Sequence, residues 1–86
     1  MKMIIAILKD DDIESAVQAL TAASFRVTRV ASTGGFFRKG STTLLLGVED
    51  EKVDAAIQVL REKTTAAPNE KRGTVFVVPV SHVEQI

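Results

Sequence analysis

The residues best suited to chemistry lie in and just before the stretch ASTGGFFRKGSTTLLLG, positions 31 to 47. Gly34 and Gly35 permit positive φ and let backbone N–H groups approach an anion closely. Arg26 and Arg38 offer bidentate contacts to phosphate, and Thr28, Thr33 and Ser41 offer hydroxyls. Phe36 and Phe37 are two of only four aromatic residues in the chain. Neighbours in an extended segment point opposite ways, which leaves one ring free to stack on a flat base. No acid occurs between Glu14 and Glu49, whereas Arg26, Arg29, Arg38 and Lys39 all fall there. The combination fits a ligand that joins phosphate to a planar base. The plain alternative is a turn over a hydrophobic plug, on a basic face that balances acidic helix starts.

Other chemistries find little support. The chain has no Cys, Trp or Tyr, and its one His, His82, stands near Glu84. One imidazole with one carboxylate is a poor metal site, so neither a catalytic nor a metal-ligating residue is expected. Residues 1–86 are short enough for a single domain with a modest core. A net charge of zero argues against a nucleic-acid polymer as partner. The longest apolar run, Met3 to Leu8, is too short to cross a bilayer. With no cysteine and no cleavage site of the secretory type, a cytoplasmic location is expected.

The elements that must position these residues come from an internal repeat. IAILKDDDIESAVQAL (5 to 20) and LLGVEDEKVDAAIQVL (45 to 60) align without a gap at an offset of 40. Each is an apolar run, an acidic cluster and a helix with an apolar stripe. The stripes are Ile13, Ala16, Val17 and Leu20, then Val53, Ala56, Ile57 and Leu60. Asp11 or Asp12, and Asp50, are placed to cap the helix starts. FRVTRVA (25 to 31) and TVFVVPV (74 to 80) follow as strands, with Pro79 ending the pairing of the last. The resulting order, βαββαβ, predicts an α+β, ferredoxin-like fold: a four-stranded antiparallel sheet with two helices on one face.

The strand after the first helix alternates polar and apolar residues, as suits an edge. MIIAIL, TTLLLGV and TVFVVPV are apolar at nearly every position, a pattern of strands covered on both faces. Two helices shelter only one face, so the other is expected to bury itself against further copies of the chain.

From these stretches the chain is identified as resembling the PII-like cyclic di-AMP receptor proteins, relatives of the PII nitrogen-signalling proteins. MKMIIAI, FRVTRVASTGGFFRKGSTTLLLGVEDEKVD and GTVFVVPV carry the resemblance, and Phe25 to Gly47 is its most specific part. It implies a homotrimer built through the sheets, with ligand held in three clefts between subunits. The positions matching Arg26 and Thr28 would meet the phosphates of cyclic di-AMP. The aromatic at Phe36 would pack on an adenine, with Gly35 and Phe37 beside it and the backbone near Gly47 close to the ligand. Phe76 matches a position near the base pocket or serves as core.

Departures from the family pattern fall at Ser24 and Ser41, where the family carries asparagine. Phe37 stands where Leu is more common, and the loop after the second helix is shortened to TTAAPNEKR. The expected function is non-enzymatic signalling through cyclic di-AMP or a related adenine nucleotide, passed to a downstream protein that the sequence does not identify. One alternative is an ATP or ADP sensor of the PII type, for which EKRGTVFVVPV is an incomplete match. The other is a trimeric structural or protein-interaction module with a decayed pocket.

Overall fold

Alternation along the strands and the three-to-four spacing of the helices decide how this chain packs. The computed structural model describes residues 1–30, 40–64 and 71–86. Within them the elements are β1 (Lys2–Lys9), α1 (Asp10–Ala22), β2 (Thr28–Val30), β3 (Ser41–Val48), a 3-10 turn (Asp50–Lys52), α2 (Val53–Glu62) and β4 (Gly73–Pro79). The strands form one antiparallel sheet in the order β2-β3-β1-β4. This is the expected βαββαβ topology.

Register sorts the side chains between two faces. Ile4 lies opposite Leu46 and Ala6 opposite Leu44, and all four are buried with Leu8, Val48, Ile13, Ala16, Leu20, Ala56 and Leu60 in one cluster. Both helices therefore cover the same face of the sheet. Each large aliphatic side chain buried there contributes roughly 1.5–3 kcal/mol of transfer free energy. The other face carries Met3, Ile5 and Ile7 from β1, Leu45 from β3, and Phe76 and Val78 opposite Ile5 and Met3. Among the described residues no element covers it, and Phe76 is 52% exposed.

Several expectations need correction. β2 is shorter than FRVTRVA: its ladder holds only Thr28 to Val30, because Phe25 turns its N–H back to the Leu20 carbonyl. Residue 31 lies outside the described residues. Neither helical segment has a side-chain cap from its N-cap residue. Asp11 and Asp12 sit within the first turn of α1, where they still favour the positive helix end. Asp50 pairs with the Met1 amino group at 3.0 Å. Ile57 is absent from the core, and Val59 packs against the cluster in its place. β4 is an edge strand, exposed at nearly every residue rather than sheltered on both faces. Its run does end at Pro79, with one further bond from the Val80 N–H to the Met1 carbonyl.

Candidate functional site

The site begins where α1 ends. Ala23 closes the helix and Ser24 adopts φ 69°. The Ser24 N–H then bonds the Thr21 carbonyl at 3.0 Å, and the Phe25 N–H bonds the Leu20 carbonyl at 2.9 Å. These two bonds make a Schellman turn, which satisfies carbonyls that a helix end otherwise leaves unpaired. The turn drives Phe25 against the core cluster, and the next residue, Arg26, emerges at the surface. Among the described residues Ser24 is the one non-glycine with positive φ. Its residue type is therefore constrained by the backbone before any ligand is considered, and asparagine meets the same constraint.

Arg26 opens onto a cavity of about 560 Å³. α1 and its exit supply Ala23, Ser24, Phe25 and Arg26; the end of β3 supplies Gly47 and Val48; Met1 closes one side. Glu49, Lys52, Ala55 and Val59 come from the opening of α2 and the turn before it. The walls are largely apolar, with two cations at the rim. Neither Arg26 nor Lys52 has an ion pair among the described residues. Glu49 is the single acid in the lining, and it is not within ion-pair distance of either cation. Such a cavity can take a flat apolar group inside and an anionic group at its mouth.

Three residues expected at the site, Ser24, Arg26 and Gly47, thus meet at one cavity. Thr28 stands two residues beyond Arg26, exposed and opposite Leu45, so its side chain belongs to the open face. Ser41 pairs with Lys9 at the far end of β3, about 20 Å from Gly47 at the rise of an extended strand. Gly35, Phe36 and Phe37, with Thr33 and Arg38, lie outside the described residues. Phe76 is on the open face rather than in the core.

Two charges read differently in the fold. Arg29 points to the helix face and pairs with Glu14 at 2.7 Å, so it leaves the basic surface that surrounds Arg26. Lys52, hidden in the acidic run EDEK, joins that surface instead. Sequence reasoning missed it because its partners at the cavity come from a segment 26 residues earlier. The one available signal was its position at the opening of the second repeat helix.

Residues 1–72 match the family model for the cyclic-di-AMP receptor. The chain belongs to the cyclic-di-AMP receptor family. That match contains the whole cavity, from Met1 through Val59. The fold is also similar to a crystal structure of a functionally unknown protein from Pediococcus pentosaceus ATCC 25745. The two are 27% identical with a TM-score of 0.79, over 99% of this chain and 96% of that one. Membership of a receptor family supports nucleotide-binding signalling by this α+β chain, and no described helix is long and apolar enough to cross a membrane.

Proposed function

We propose that this protein is a non-enzymatic cytoplasmic sensor that binds cyclic di-AMP in clefts between the subunits of a homotrimer. The observation that carries the reading is the meeting of Ser24, Arg26 and Gly47 at one cavity with Lys52 across from them. Two cations without carboxylate partners among the described residues suit a ligand with two phosphates, and charge-assisted bonds are the strong ones. The apolar wall of Phe25, Val48, Ala55 and Val59 suits an adenine face. Gly47 suits close approach: a Cβ there would meet only the flexible end of Met1, at 3.3 Å.

The trimer rests on the open sheet face. Met3, Ile5, Ile7, Leu45, Phe76 and Val78 form a continuous apolar surface of the kind that subunits bury. Association there sets Thr28 of one subunit against the surface of the next, completing the cleft next to the cavity. Phe36, Phe37, Gly35 and Ser41 complete it in this reading.

Calorimetry with cyclic di-AMP, cyclic di-GMP, ATP and ADP, together with sedimentation, tests the proposal. Heat with cyclic di-AMP and a mass of three chains are expected. Binding of ATP or ADP alone would replace the ligand with that of the PII-type sensor. A trimer with no heat from any nucleotide would leave the structural module.

A further inference from the structure

The two edges of the sheet are defended unequally. β2 is three residues long and carries Arg29, already paired to Glu14. β4 runs seven residues, with no charged residue between Gly73 and Pro79. Its outer row of backbone groups has no partner among the described residues. Long, flat, uncharged edges are templates for another strand, and proteins leave them open where something pairs with them.

The groove beside this edge has its own chemistry. α2 does not reach over β4, so Val75 and Val77 remain 37% and 40% exposed on the helix face. Between helix and strand lies a cavity of about 470 Å³ floored by Leu8, Ile57 and Leu60. Arg61, Lys71 and Arg72 stand at its end near Gly73; among the described residues no carboxylate lines it and none of the three has an ion pair. An apolar floor, an unpaired backbone edge and three cations at one end form a single surface.

We propose that β4 and this groove dock an extended segment of a partner protein. The segment adds as a fifth strand along β4, with alternate apolar side chains over Val75 and Val77. Acidic residues at its end beside Gly73 meet Arg61, Lys71 and Arg72. A second copy of this chain fits less well. Its other free edge, β2, has only the three residues Thr28 to Val30 to lay along the seven of β4, with no acid among them to meet the groove's cations. The proposal concerns the helix face and the sheet edge, so it stands independently of the nucleotide reading and leaves the open face to other subunits.

The test is a titration of the full-length, nitrogen-15-labelled protein with a synthetic peptide of alternating Val and Thr that ends in two Glu. A peptide ending in two Lys serves as control. The acidic peptide is expected to shift the backbone amides of residues 73–79, and the basic one to leave them in place. Lys71→Glu with Arg72→Glu is expected to weaken the acidic peptide by about tenfold or more and to admit the basic one. Arg61→Glu, on the far side of the groove, gives the same result by a route that leaves the start of β4 intact. Amides 73–79 that ignore the acidic peptide, or equal binding by the charge-reversed variants, overturn the proposal. So do shifts at 73–79 that follow protein concentration without any peptide, since those place a second copy on this edge.

Discussion

Ser24 and Thr64 occupy the same position of the 40-residue repeat, and they end their helices in different ways. Ser24 turns into the left-handed region, and the Leu20 carbonyl accepts the Phe25 N–H. Thr64 is buried, and its hydroxyl donates to the equivalent carbonyl, Leu60, at 2.9 Å and to Arg61 at 3.3 Å. A β-branched residue resists positive φ, so the second helix cannot close as the first does. The first exit delivers Arg26 to a cavity within two residues. After the second, the described chain resumes at Lys71 and enters the sheet at Gly73, beside the basic groove. Duplication preserved strand, acidic cluster and helix; the chemistry sits where the copies diverge.

The sharpest break in that comparison is expected at Gly73. A Cβ at this position would stand 2.7 Å from the Ile7 carbonyl oxygen and 2.9 Å from Leu8 Cδ2. The oxygen is backbone at the centre of the sheet and cannot yield cheaply. Gly73→Ala is therefore expected to lower stability by about 2–3 kcal/mol, read as a fall in the urea midpoint. The second exit then depends on close backbone approach, as the first does not. A change below about 0.5 kcal/mol would show that β4 moves freely against β1.

Arg26 tests the functional side of the first exit. Arg26→Ala is expected to weaken cyclic di-AMP about tenfold or more while the sedimentation coefficient of the unliganded protein stays the same. Lys52→Ala is expected to act in the same direction. If Arg26→Ala instead dissociates the assembly, its guanidinium serves the subunit contact first.

The two helix ends themselves separate by sign. Thr64→Val keeps the shape and removes the hydroxyl that serves two carbonyls, at an expected cost of about 1 kcal/mol. Ser24→Gly relieves the left-handed strain and is expected to add about 0.5–1 kcal/mol, part of the relief being offset by the freer unfolded chain. Cyclic di-AMP affinity within about twofold of wild type for Ser24→Gly assigns Ser24 to the backbone. A larger loss returns its hydroxyl to the ligand.

These residues also mark how far the sequence was legible. The gapless repeat, the alternation in β2 and the stop at Pro79 are local patterns, and local patterns gave the topology. Ser24 drew notice only through the family resemblance and not as a helix terminator, because serine carries no strong left-handed signal where Gly or Asn would. Arg29 counted toward the basic surface until topology set it against Glu14, fifteen positions earlier. Lys52 was hidden for the converse reason, its nearest sequence neighbours being acids. β4 looks like a buried strand since an apolar run has the same appearance whether its cover is a helix or another protein. Ile57 and Val59 exchanged roles because Ile57 lines the groove between α2 and β4 while Val59 packs on the cluster, a property of packing that no single helix encodes. Gly35, Phe36 and Phe37 lie outside the described residues, so their part of the site stays with the family resemblance.

The smallest expected effect falls on the repeat's matched aspartates, Asp10 and Asp50, which anchor the helix starts to different strands. The Asp10 N–H donates to the Gly40 carbonyl at 2.8 Å, and its carboxylate accepts from the Thr42 hydroxyl at 2.5 Å, tying α1 to β3. Asp50 accepts from the Met1 amino group at 3.0 Å, tying the turn before α2 to β1. That hydrogen bond holds the Asp50 carboxyl below its ordinary pKa against an opposing desolvation, and the positive charges of the amino group and of Lys2 act in the same direction as the bond. A lowered folded-state pKa stabilises the protein above the unfolded value and loses that contribution as pH falls through the folded one. Asp50→Asn is therefore expected to be slightly less stable than wild type near pH 7. The gap should close at a pH below the lowered folded-state pKa, where both carry an uncharged side chain. Since Asp50 is largely exposed, added salt should narrow the gap at pH 7 as well. Urea midpoints at the two pH values decide it: a gap that survives at low pH means the carboxylate's charge is not what anchors this helix start.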